Sequence, residues 1–178
     1  MSPSDQRHLM THPAALWGIF GFVLILSQAI LRLTPMAYEP LASDSLQAYH
    51  YVLFVVSIVF NGYFEGYRAF QLQVAPRVMA RASYLAQHPR PLHVVLAPLF
   101  CMSLFHASRK RLIISWSVYA GIIMLVVLVR QVPQPWRGIV DAGVVVGLSW
   151  GVVAIIAAFV ELRRGGSLQV PADLPEPS

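Results

Sequence analysis

Four long apolar runs, at residues 14–33, 51–70, 112–129 and 138–162, alternate with shorter polar stretches along the chain. Each is roughly 20 residues, which at about 1.5 Å per residue matches a hydrocarbon core roughly 30 Å thick. A crossing segment has no water to satisfy its backbone, so runs of this kind are helical, and their continuity without alternation excludes a barrel. The pattern predicts an all-α polytopic membrane protein: a four-helix transmembrane bundle with a cytoplasmic interfacial or re-entrant segment.

The polar stretches set the orientation. Residues 34–50 carry Glu39 and Asp44 and no Lys or Arg, whereas Arg68, Arg77, Arg81, Arg90, Arg109, Lys110 and Arg111 all precede the third run. Basic residues mark cytoplasmic ends. An apolar stretch at residues 92–107 follows Pro91 and contains Pro98. If it crossed, the basic residues would divide almost evenly. Left on the cytoplasmic face, as its short length suggests, it puts ten of the 13 basic residues inside. The expected organisation is a cytoplasmic tail at residues 1–13, a four-span domain at 14–164 with a basic cytoplasmic segment at 72–111, and a Pro-rich, disordered tail at 165–178. The first run is read as a retained anchor rather than a cleaved signal, because it continues past Ala29.

Composition agrees with this picture. Of 178 residues 57% are hydrophobic and 12% charged, and the mean hydropathy is +0.61. The formal charge of +5 lies beside apolar runs with no nucleic-acid-binding module, so membrane lipids are the expected partner and nucleic acid is not. The single Cys101 excludes a disulfide framework. A bacterial inner membrane is the expected location.

Candidate chemistry is sparse. In the fourth run Gly143, Gly147 and Gly151 recur every four residues on one helix face, where missing side chains let another backbone approach. Gly62 and Gly66 repeat the pattern in the second run. These glycine faces are expected to pack within the bundle, intramolecular contact being favoured over self-association. Asn61, Glu65 and Arg68 form a polar stripe beside them. An ionisable group at mid-span costs roughly 2.5–3.5 kcal/mol and is by default a functional candidate. Here Glu65 is expected about 9 Å from the cytoplasmic helix end and paired with Arg68 at i+3, so a structural ion pair is favoured over a substrate, proton or headgroup site.

Asp141 is accounted for by local pairing with Arg137 or Arg130. Residues 75–91 read as an amphipathic helix on the anionic leaflet, with Arg77, Arg81, Arg109, Lys110 and Arg111 as candidate headgroup contacts. His8 and His12 have i, i+4 spacing but no further ligand, so no metal is expected. No cofactor is expected, and no phosphate loop, nucleophile elbow or catalytic carboxylate pair is present.

Three strings, EGYRAFQ with the following APRV, PLFCMSLFHASRKRLIISWS, and RGIVDAGVVVGLSWG, resemble those of a family of small multispan membrane proteins of bacteria and plastids with no assigned activity. The likeness covers roughly residues 50–155. It implies an all-helical membrane fold and brings no catalytic residues.

Packing signals thus outweigh chemistry. The leading expectation is a non-enzymatic accessory or scaffold protein that packs with itself or a larger membrane complex. The alternative is a small transporter or channel using Asn61, Glu65 and Arg68 at a cytoplasmic vestibule. A third, weaker expectation is an enzyme acting on lipids or quinones near His93 and His106.

Overall fold

The computed structural model describes residues 11–43, 46–167, 170 and 172–174, and every regular element among them is helical. Arg7, His8 and Asp44 lie outside the described residues, as does half of the C-terminal tail. The elements are α1 (Pro13–Ala42), α2 (Ala48–Asn61), a π-helix π1 (Gly62–Val74), α3 (Ala75–Gln87), α4 (Pro91–Val95), α5 (Ala97–Cys101), α6 (Arg109–Arg130) and α7 (Trp136–Arg163). Three of these, α1, α6 and α7, are long and apolar enough to cross a membrane.

α1 is longer than the sequence suggests. It continues through Pro35 and Pro40 to Ala42 rather than giving way to a loop at residue 34. Proline in a helix frees the carbonyl four residues earlier, and a neighbouring group that takes that carbonyl removes the penalty. Pro40 frees Met36 O, which accepts from Gln134 Nε2 at 3.3 Å. Gln134 Nε2 also donates to Glu39 Oε2 at 2.9 Å, while Gln134 Oε1 accepts from the Gly138 N–H at 3.0 Å. One glutamine therefore joins the end of α1 to the start of α7, where the Pro40 ring lies against Gly138.

The second apolar run does not stop near Gln71. Helical backbone continues from Ala48 to Gln87, with Gly62, Val74 and Ala75 all in right-handed helical conformation across the α2–π1 and π1–α3 joints. Hydrogen bonding widens to i→i+5 in π1, as in the Ala75 N–H donating to Phe70 O.

α7 is the central element. It packs against α1, α2 and π1, and α3 sits between α1, π1 and α7. α7 runs parallel to α2 and π1, since Gly143 meets Ser57 and Asn61, Gly147 meets Glu65, and Gly151 meets Phe70. It runs antiparallel to α1, since Gly138 meets Pro40.

The main core lies towards the C-terminal half of α7, where Ile155 and Leu162 join Ile19 and Phe22 of α1, Val78, Met79 and Ala82 of α3, and Cys101. A smaller cluster of Ala14, Leu85, Ala97 and Phe100 continues it. α3 is thus not an amphipathic helix on the membrane surface: residues 78–83, Leu85 and Ala86 are all buried, on every side of the helix. The apolar stretch expected on the membrane face wraps around it, and α5 seats on α1. A side chain at Gly18 would lie 2.7 Å from Cys101 Sγ, and one at Gly21 would collide with Pro98.

Candidate functional site

Two polar arrangements stand out, the seam where π1 meets α7 and a buried arginine in α3.

At the seam, Asn61 Nδ2 donates to Ser57 O at 2.9 Å, and both side chains abut Gly143. One turn on, a methyl group at Gly147 would lie 2.5 Å from Glu65 Oε2 and 3.0 Å from Glu65 Cβ. Gly66 is buried against Trp150, whose Nε1 donates to Gln71 Oε1 at 2.8 Å. Gly62 has only Val146 within reach, at 3.7 Å. The structure therefore brings together Ser57, Asn61, Glu65 and the glycines of both helices.

Arg68 is not part of the seam. It is exposed, and no ion pair joins it to Glu65. The π-helical turn explains the departure: at about 4.4 residues per turn, position i+3 swings roughly 115° away from Glu65, against about 60° in an α-helix. Glu65 also sits deeper than the expected 9 Å from a helix end, because the helix runs on to Gln87. Its neighbour Gly147 is 11 residues from Trp136 and 16 from Arg163, about 16 Å and 24 Å along α7.

Arg81 is 0% exposed. Its Nε donates to Phe100 O at 2.5 Å, one terminal nitrogen donates to Ala172 O at 2.9 Å, and the other donates to Phe105 O at 3.0 Å and His106 O at 3.1 Å. Its guanidinium carbon lies 4.1 Å from the centre of the Phe100 ring. Burial lowers its pKa to about 10, with Cys101 and Asp173 acting in the opposite sense, so it stays charged at neutral pH. A side chain committed to four carbonyls and a ring is not a headgroup contact, which corrects the expectation for Arg81. Its planar, rigidly spaced donors suit a cluster of carbonyls that a lysine would not span.

Two of the carbonyls, those of Phe105 and His106, come from a tight return after α5, where Ser103 and His106 adopt positive φ of 60° and 49°; Phe100 belongs to α5 itself and Ala172 to the C-terminal tail. Arg77 pairs with Asp173 at 3.3 Å, and the Ser108 N–H donates to Asp173 O at 2.9 Å. Residues 172–174 of the tail expected to be disordered are thus tied to α3 and to the start of α6. Of the remaining basic candidates, Arg109 and Lys110 are exposed and Arg111 is half-buried.

His93 and His106 do come together, with ring centres 4.6 Å apart beside Phe100 and Phe105. Burial, chiefly, lowers the pKa of both; the adjacent His106 adds to the effect on His93, and Arg90 and Arg81 act on each. No group of three His, Cys, Asp or Glu suited to a metal occurs among the described residues. Burial pushes the Cys101 thiol up to about 12, leaving an unreactive small apolar side chain. Arg137 Nε lies 3.5 Å from Asp141 Oδ2.

No family model, curated protein or solved structure matches the chain.

Sequence reasoning missed Arg81 as an organising residue. Its signal was present in part, since Val78, Met79, Ala80, Ala82 and Ser83 around it are all small or apolar. A helix turn of that kind holding one arginine is suited to burial on every side.

Proposed function

We propose that this chain is an accessory or scaffold protein of a bacterial inner membrane, crossing it four times and joining a second copy or a larger membrane complex through α6. The fourth crossing is the α2–π1 path, 27 residues from Ala48 to Val74, which runs beside α7 over the length that α7 needs to cross. The observation that carries the proposal is the isolation of α6. Of its 22 residues Ser115 alone is buried, a side chain added at Gly121 would meet nothing within 4 Å, and Ile113, Ile123 and Met124 are at least 65% exposed. Lipid supplies no hydrophobic drive between helices, so a crossing helix is held in place by close side-chain packing. The remainder of the bundle has that packing; α6 has it only if another chain provides it.

The transporter alternative retains Asn61 and Glu65 and loses Arg68 from the proposed vestibule. Gly121→Cys in native membranes tests the leading proposal, since buried Cys101 leaves the new thiol as the reactive one. A bifunctional maleimide is expected to give a band at twice the chain mass, or a heavier adduct containing another membrane protein. A chain that stays monomeric at every reagent concentration while the thiol remains fully accessible refutes it.

A further inference from the structure

The seam between π1 and α7 holds a carboxyl group with nothing to neutralise it. Glu65 is half-buried and makes no hydrogen bond or ion pair with any described residue. The donors nearest along the seam are committed elsewhere: Asn61 Nδ2 to Ser57 O, and Trp150 Nε1 to Gln71 Oε1. Charged groups on the elements that pack against π1 are distant in register. On α7 Gly147 lies against Glu65, flanked by Gly143 against Asn61 and Trp150 against Gly66, and Asp141 is the nearest charged position, six residues from Gly147, or about 9 Å along the axis. α2 contributes Ser57 and Asn61 to this face, and its titratable residues Tyr49, His50 and Tyr51 belong to its opposite end. On α3 the nearest is Arg77, twelve residues on and paired with Asp173. Within π1, Tyr63, Tyr67 and Arg68 are exposed.

A carboxylate without a donor or counter-charge in a medium of low dielectric gives up its charge by taking a proton. A metal cation would satisfy the same electrostatics, but a hard cation calls for about six oxygen ligands, and what packs on this carboxyl from α7 is Gly147.

We propose that Glu65 is a proton-binding site within the bundle: in the folded protein its carboxyl is neutral and packs on Gly147, and loss of the proton to water opens the seam between π1 and α7. The contact itself makes the link between proton and packing. Glu65 Oε2 packs on Gly147, which closes that side of the carboxyl to water, so an ionised Glu65 completes its hydration shell by moving away from α7. π1 provides a place for that motion, because a π-helical stretch tightens to α-helix with a small change in backbone hydrogen bonding, and such stretches recur at functional sites.

The test uses the full chain in nanodiscs, labelled with hydrophobic dicyclohexylcarbodiimide, which adds to a protonated carboxyl, and mapped by mass spectrometry between about pH 5 and pH 9. Glu65 is expected to take the label, to ignore a water-soluble carbodiimide, and to lose about tenfold in labelling for each pH unit above its midpoint. Sodium or potassium at constant pH is expected to change nothing. Absence of label on Glu65 across the range, or equal labelling by the water-soluble reagent, overturns the proposal. Protection by sodium or potassium also overturns it, assigning a metal cation in place of the proton. As an independent arm, Glu65→Gln, the permanently neutral isostere, is expected to unfold at the wild-type temperature at low pH and to remove the pH dependence of labelling at an engineered thiol in the seam, Val146→Cys. A Glu65→Gln chain markedly less stable than wild type at low pH contradicts a neutral carboxyl.

Discussion

Replacing Arg81 with methionine tests the fold where it is most specific. The change keeps length and apolar reach while removing every donor. Phe100 O retains the Ser103 N–H at 3.0 Å, so three acceptors lose their Arg81 partner: Phe105 O, His106 O and Ala172 O. A buried acceptor left without a partner costs about 1–3 kcal/mol. All three bonds are only partly buried, two in the return and one in the C-terminal tail, where water reaches the acceptors once the contact loosens, so the low end applies. Methionine also escapes the desolvation that lowers the Arg81 pKa, a partial offset. The expected loss is about 3 kcal/mol, or roughly a hundredfold in the equilibrium for opening the return.

Cys101 reports this opening directly. It is 2% exposed, packed on Gly18, and its thiol is pushed up to about 12 by burial, so maleimide reaches it only when α5 lifts from α1. In nanodiscs, Arg81→Met is expected to raise the maleimide labelling rate about a hundredfold under conditions where opening limits the reaction. Arg77→Ala, which breaks a partly exposed ion pair with Asp173, is expected to cost less than about 1 kcal/mol and raise the rate less than tenfold. Labelling of Arg81→Met no faster than that of Arg77→Ala would refute the assignment of Arg81 as the residue that holds the return closed.

Gly143→Ala would bring a methyl 2.8 Å from the Ser57 carbonyl oxygen, a backbone atom that cannot rotate away; the expected cost is about 1–3 kcal/mol by thermal unfolding in nanodiscs. Gly121→Ala, in open space, is expected to be neutral or to stabilise by up to about 1 kcal/mol, and equal losses at the two positions would remove the seam as the reason. For His93 and His106 burial lowers the folded pKa below the ordinary 6.5, so below that value the unfolded chain binds more protons than the folded one. Stability is therefore fully present above pH 6.5 and falls as the pH drops below it. His93→Gln is expected to flatten that fall, and an unchanged acid limb would exclude the pair as its source.

The amino-acid sequence determined the solvent and the class of element. Runs of about 20 apolar residues must be helical in lipid whatever surrounds them, because their backbone has no other partner, and glycines spaced by four must lie on one face of α7. Distant contacts decided the rest. Residues 34–42 read as part of a loop, yet α1 continues through Pro40 because Gln134, 94 positions later in the chain, takes the freed Met36 carbonyl. Arg81 reads as a surface cation because its carbonyl partners carry no side-chain signature; any residue supplies a C=O. Glu65 and Arg68 read as a pair because 3.6 residues per turn is the default, and the widened turn of π1 sets them apart. A repeat along a helix is a local property legible one residue at a time, whereas helix length past a proline, the burial of a charge and the pitch of a turn depend on which other segment arrives there.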